Sequence, residues 1–585
     1  MKRFRRQPAS SELGNVVDKE QEVASGELPK HKLSRQWLWL FRLLCVSLPF
    51  IALLLAELAF RVIPSLNADR DPDVNISPFA IFSHTTSPNT GEEYYNVTYQ
   101  RVVNAGSVHI PVKKPANDIR IFCLGSSACA SWPHPPSETF SAYLQQALQT
   151  AYPGKQIEVI NVAAHGFAAY RTRRVLDEVL KLQPDAVLVW EGNNEFLEER
   201  NYDRRNAVVA FLARHLRTVQ WLQATFFNRN KMSGQELKGE AQFFSKKIHQ
   251  QSLRLREDPV QFAGVKEHFD ESFEHMVSQS QRYQVPIVLC TVPVNLRDWL
   301  PTVSCNRLSG ERLEQWQQLF NQARRCLIEG TYRDGIQAIN QAIAMESEHA
   351  ESYFWLGRLL EADGQKAAAW EALSKARDQD YNPFRAISSF NDAIRGLARK
   401  NQSQGVYLLD LDRIFAGASR YAAPGFDLFL DYVHPTKPGN LLVAKSAFEL
   451  ITRNDVLKDK PMTEQFTYND LPAEPNGKRY RDEDDKELQF EAHYMALENH
   501  QYEAVAHRIE DYVQERTGRR PTTGPDDPLC ACLSPELALR YRVVWEYLEA
   551  QRRVIMNLPV DKAELEEAKR RLDDYYEKQF PLGKY

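Results

Sequence analysis

Residues Asp118 to Ser127 read Asp-Ile-Arg-Ile-Phe-Cys-Leu-Gly-Ser-Ser, an almost wholly apolar β-forming run cut off by a glycine and two small hydroxyl residues. A run of this kind predicts a strand buried on both faces, as in a parallel sheet. It leaves a serine at the strand's carboxyl end, the edge where open α/β sheets collect ligands and reacting groups. That serine is a candidate nucleophile if the chain supplies a base and oxyanion donors elsewhere.

Downstream the pattern alternates. A helix entered at Pro135-Pro136-Ser137 carries Phe140, Leu144, Ala147 and Leu148 on one face, and Ile157–Val162 predicts a second strand. Leu176, Val179, Leu180 and Leu182 mark the next helix, Ala186–Trp190 a third strand, and Pro286–Val292 a fourth. Residues 198–280 read as helical and charged, without a chemical motif. Val406–Leu411 supplies a fifth strand, followed by Asp431-Tyr432-Val433-His434-Pro435 and a helix from about Gly439 to Ile451. Strands that alternate with helices predict a parallel α/β sheet with right-handed crossovers.

Between strands four and five the alternation stops. At an offset of 34 residues Leu319 matches Tyr353, Ala323 matches Gly357, Gly330 matches Gly364, Ile339 matches Leu373 and Ala342 matches Ala376. Small residues at those offsets belong where antiparallel helices cross closely, and the period is that of tetratricopeptide repeats. A plain helical hairpin is the competing reading. Two repeats bury little by themselves, so they are expected to lean on the α/β domain.

At the other end, Leu43–Ala56 is an uncharged run of 14 residues, extended towards Ile63 and preceded by Trp37 and Trp39. With Arg42 snorkelling, this is long enough to span a bilayer. Eight Lys or Arg precede it, against Arg61 and Arg70 in the stretch that follows. The positive-inside rule therefore predicts a cytoplasmic tail and everything after Pro64 outside: a type II single-pass inner-membrane protein. The formal charge of -4 supplies no basic stripe for nucleic acid. Eight cysteines are spread too widely for a disulfide scaffold or a zinc module, and Cys530-Ala-Cys532 lacks a second ligand pair. Cys305 and Cys326 remain a pair open to bridging in an oxidising compartment. Neither a phosphate-binding loop nor a His-Glu-x-x-His motif is present, so no cofactor and no metal are expected.

Acyl transfer by a serine needs a base, a group that orients it, and donors for the oxyanion. Each predicted strand end offers one part. Gly125-Ser126-Ser127 follows the first, Asn161 to Gly166 the second, Gly192-Asn193-Asn194-Glu195 the third and Asp431-x-x-His434-Pro435 the fifth. These four blocks, in this order, resemble the SGNH/GDSL hydrolase superfamily over about a third of the chain. The resemblance implies a flavodoxin-like three-layer α/β sheet. It also implies Ser127 as nucleophile, His434 as base and Asp431 as its orienting carboxylate. The Ser127 and Gly166 N–H groups and the Asn194 amide are then the oxyanion donors. Two positions depart from the pattern: Ser126 replaces the Asp of the first block, and Glu195 replaces the Asp of the third. Membrane-anchored bacterial relatives with inserted tetratricopeptide repeats share both features.

Local alternatives stay open at each position. Ser126 competes with Ser127 for the site, Gly166 fits a turn glycine, Asn194 a helix cap, and Asp431 with His434 a loop ion pair. Asn295, Arg297 and Arg385 are candidates for lining the substrate cleft. The expected organisation is a tail (1–35), a transmembrane helix (36–63), a lead-in (64–117), the hydrolase domain in two parts (118–300 and 384–455), a repeat insertion (301–383) and a helical C-terminal region (456–585). The expected activity is hydrolysis of O-acyl esters of a carbohydrate or lipid, with a protein partner on the repeats. Transfer of an acyl group to a polysaccharide by the same residues, and non-catalytic glycan binding, are the alternatives.

Overall fold

The computed structural model describes residues 35–62, 81–87, 90–97, 102, 109–197, 218, 256–454, 456–457, 501–559 and 562–579. The tail before Arg35, the rest of 198–255 and the charged hinge Lys478 to Lys486 lie outside the described residues.

Helix α1 (Arg35–Val62) has 28 residues, about 42 Å at 1.5 Å per residue. Its Leu43, Val46, Phe50, Leu54 and Leu58 are exposed. Among the described residues it is the one helix long and apolar enough to cross a membrane. The lead-in, where no strand was expected, contains β1 (Phe82–Thr86), β2 (Glu93–Val97) and β3 (His109–Pro111) in a small antiparallel sheet.

The main sheet is built from β4 (Ile119–Gly125), β5 (Ile157–Asn161), β6 (Ala186–Trp190), β7 (Ile287–Cys290) and β8 (Val406–Leu409). All four pairings are parallel and the order is β5-β4-β6-β7-β8. Every residue of β4, β6 and β7 is buried, which is why their sequences are apolar rather than alternating, save Arg120 of β4, which is paired with Glu158. Right-handed crossovers dictate the layers. From β4 the chain steps outward to β5 through α2 (Phe140–Ala151), then reverses direction to β6 through α3 (Ala169–Val179), so these helices fall on opposite faces. Helices α4 (Pro259–Arg282) and, after the insertion, α9 (Ser388–Lys400) join α3's layer. The closing α11 (Lys437–Arg453) packs beside α2. The reversal lies at β4, so the crevice of this order opens between the carboxyl ends of β4 and β6.

Register makes that crevice tight. Gly125 pairs with Trp190, and a Cβ on Gly125 would sit 2.0 Å from the Trp190 carbonyl oxygen and 2.8 Å from Cys129 Cβ, at φ +155°. Gly125→Ala should therefore cost on the order of 4 kcal/mol or more, because backbone has to move. Thermal melting measures this, and a variant that melts with the parent would refute the packing account.

Between β7 and β8 stand α5 (Gly310–Glu329), α6 (Tyr332–Met345), α7 (Ala350–Ala362) and α8 (Lys366–Asp378), two stacked antiparallel hairpins. Ala323, Ala342, Gly357 and Ala376 are buried at their crossings. Cys305 and Cys326 are both free thiols, so the bridge left open above is not formed. After β8 comes the short α10 (Leu411–Ala418), and the C-terminal region adds α12 (Tyr502–Thr517), α13 (Pro535–Ile555) and α14 (Lys562–Gln579). Val505, Ile509 and Val513 of α12 are fully buried in the same continuous core as the main sheet.

Candidate active site

The strand ends bring the candidate residues together. His434 Nε2 lies 2.8 Å from Ser127 Oγ, and His434 Nδ1 lies 2.6 Å from Asp431 Oδ2. Asp431 and His434 are buried, whereas Ser127 is half-buried. Serine and histidine are 307 positions apart in the chain.

The base is held by a loop that folds on itself. The Leu430 N–H donates to the His434 carbonyl at 2.8 Å, and the Thr436 N–H donates to the Leu428 carbonyl at 2.9 Å. Inside that turn, Asp431 Oδ1 accepts the N–H groups of Val433 and His434, each at 2.9 Å. One carboxylate oxygen thus shapes the loop while the other faces the imidazole. Thr436 then caps α11, its hydroxyl accepting from the Gly439 N–H. Trp132 packs edge-on against His434, ring centroids 4.8 Å apart, and against His165 at 5.6 Å.

Behind the loop, His134 Nε2 donates to the Pro435 carbonyl at 2.8 Å, and its Nδ1 is buried with no partner among the described residues. Burial pulls the His134 pKa down to about 4, against the Pro435 bond that favours the charged form. The unfolded chain takes up a proton here below about pH 6.5 that the folded chain refuses until about pH 4. Stability is therefore full above pH 6.5 and is lost as pH falls towards 4, by up to roughly 3 kcal/mol. His134→Gln keeps a donor for Pro435 and cannot titrate. Its melting temperature should fall less between pH 7 and 4.5 than the parent's, and equal acid slopes would remove His134 from the account.

Three donor-bearing residues follow the carboxyl ends of β4, β5 and β6. Among the described residues, no acceptor takes the backbone N–H of Ser127 or of Gly166. Asn194 Nδ2 donates to the Phe167 carbonyl at 2.8 Å, which leaves the second amide hydrogen of the pair. The Val162 and Ala164 N–H groups donate to the Cys123 and Gly125 carbonyls, so the second block runs alongside the nucleophile turn. Asn161 Nδ2 adds a 2.8 Å bond to the Cys129 carbonyl. At the third-block departure, Glu195 Oε1 accepts the Ala169 N–H at 2.7 Å, where α3 has no side-chain cap of its own. A carboxylate suits that helix end.

The three residues proposed to line the cleft are placed otherwise. Asn295 is fully buried and donates to the Asp431 carbonyl at 2.9 Å, so it supports the base loop from beneath. Arg385 is also buried, and its guanidinium donates to the Asn295 and Trp299 carbonyls at 2.7 and 2.9 Å. Burial outweighs the nearby Asp380 and lowers the Arg385 pKa to about 10. Arg297 bonds Asp298 and Glu361 and stacks on Tyr421, in a cavity of about 280 Å³ walled by α7 and residues 420–422. A strand-end position marks a loop but does not say which way its side chains turn, and no local signal separates these cases.

No family model matches the chain, and no curated protein matches it. Among solved structures it is similar to an acetyl xylan esterase, AlAXEase, at 14% identity over 57% of this chain and 98% of that one, with a TM-score of 0.27. It is also similar to LAE5, an alpha/beta hydrolase enzyme from the metagenome of Lake Arreo, Spain, at 12% identity over 59% and 98%, with a TM-score of 0.25.

Proposed function

We propose that the chain is a membrane-anchored serine esterase of SGNH type that cleaves O-acyl esters outside the cytoplasm. The observation that carries the reading is the continuous Ser127–His434–Asp431 hydrogen-bond chain at the carboxyl edge of the parallel sheet. His434 Nε2 takes the Ser127 proton as Oγ attacks the ester carbonyl, and Asp431 stabilises the resulting imidazolium. The Ser127 and Gly166 N–H groups and the Asn194 amide receive the oxyanion. His434 returns the proton to the leaving alcohol, then activates the water that frees Ser127. A sugar hydroxyl in place of that water gives the transferase reading with the same residues. The apolar α1 anchors the domain to the inner membrane, with the charge bias around it placing the domain outside. The helical hairpins are a tetratricopeptide-like pair for a protein partner, and acylated envelope glycan is the substrate class.

The test uses the full chain in detergent with a fluorophosphonate probe, p-nitrophenyl acetate and an O-acetylated polysaccharide. Serine-dependent labelling together with acetate release from the polymer is the expected result. A parent that neither labels nor turns over the simple ester would sink the esterase reading. Labelling with acetyl passed to an acceptor sugar faster than to water would favour the transferase.

A further inference from the structure

Glu191, the residue after β6, has no part in the proton transfers above, and its surroundings are costly. It is 1% exposed, and among the described residues no Lys, Arg or His forms an ion pair with it. A buried carboxyl without a cation costs several kcal/mol compared with an apolar side chain of the same volume. What surrounds it instead is polar groups from three segments. Ser126 stands beside it just past the paired strand ends, the Thr172 hydroxyl donates to Oε2 at 2.8 Å, and the Gly192 N–H donates to Oε1 at 2.9 Å. Register explains the first of these: Gly125 pairs with Trp190, so the next residue of each strand, Ser126 and Glu191, meet just past the ladder.

Those groups come from three different segments. Ser126 belongs to the nucleophile turn, Thr172 to the first turn of α3 just after Gly166, and Gly192 to the loop that presents Asn194. Each segment carries one of the three oxyanion donors. We infer that Glu191 is a positioning residue for the oxyanion site, a single carboxyl that ties the three donor-bearing segments together at a set spacing. The inference rests on the serine-hydrolase reading. It also bears on the serine at position 126, which stands beside a carboxyl supplied from the neighbouring strand. Burial, reinforced by Glu195, pushes the Glu191 carboxyl well above its ordinary range, towards the neutral form. A neutral group does not oppose negative charge growing nearby.

The test compares the full-length parent with Glu191→Gln, Glu191→Ala, Ser126→Ala and the Glu191→Gln/Ser126→Ala double variant. The readouts are kcat and KM on p-nitrophenyl acetate, affinity for a boronic acid that forms a tetrahedral serine adduct, and melting temperature. Displaced oxyanion donors should lower kcat about tenfold to a hundredfold, with KM within twofold and boronate affinity falling in parallel. The double variant should lose no more than the worse single variant, since both changes break one tie. Glu191→Gln keeps the shape, so it carries the test if Glu191→Ala does not fold. A Glu191→Gln protein with parental kcat and parental boronate affinity overturns the inference, as do losses that multiply in the double variant. An inactive parent instead overturns the serine-hydrolase reading itself, which the Ser127→Ala control separates.

Discussion

Ser127→Ala is expected to lower kcat for p-nitrophenyl acetate by at least about a thousandfold and to abolish fluorophosphonate capture, with the melting temperature unchanged. His434→Ala should be equally severe, and the double variant no worse than either, because nucleophile and base act as a unit. Asp431→Asn should cost on the order of a thousandfold to ten-thousandfold. The amide cannot hold the imidazole in the tautomer that accepts from serine. The choice between neighbouring serines is physical. Ser126 is fully buried beside Glu191, whereas Ser127 is half-buried with its oxygen 2.8 Å from the base. Labelling that survives Ser127→Ala would transfer the role to another residue and undo the site as described.

The second large effect is expected far from the chemistry. Arg508 on α12 donates through Nε to the Leu430 carbonyl at 3.2 Å and through Nη2 to the Phe429 carbonyl. Its guanidinium also lies over the Phe426 ring at 4.5 Å. Those carbonyls immediately precede Asp431, so the C-terminal region braces the loop that carries the base. Arg508→Ala leaves two carbonyls without this donor, at roughly 1–3 kcal/mol, and frees the loop to drift. The expected result is a kcat lowered about tenfold to a hundredfold with KM little changed, since a small misplacement of a catalytic group is costly. Arg508→Lys should restore only part of it, because one ammonium cannot match the planar fork. A fully active Arg508→Ala protein would show that α12 is a bystander.

What could be read beforehand follows from how local each signal is. The main strands were legible because β4, β6 and β7 are wholly buried and β5 and β8 partly so, with apolar-rich runs that stop at Gly, Pro or a polar residue. Ser127, Asn194, Asp431 and His434 stood out because four short blocks follow the predicted strands in the order of a known hydrolase pattern. Asn295 and Arg385 were misplaced for the same reason: both follow an element that reaches the site, but they turn inward to backbone carbonyls. Glu191 resembled an ordinary polar residue closing a strand, and its importance emerges only from the Gly125–Trp190 register. The strands β1 to β3 are short and carry exposed polar residues, so no apolar run announced them. Arg508 had no local signal, since its partners lie 78 and 79 residues earlier in the chain.

The separation of serine from base by 307 residues sets an order of events during biosynthesis. A chain made from its N-terminus presents Ser127 and β4 to β6 while His434, α11 and the bracing α12 are still to come. Domains assemble as their segments appear, so the nascent protein carries a nucleophile that has no partner to activate it. On the proposed reading, the site is complete only once the last strand, the base loop and the C-terminal brace have been made.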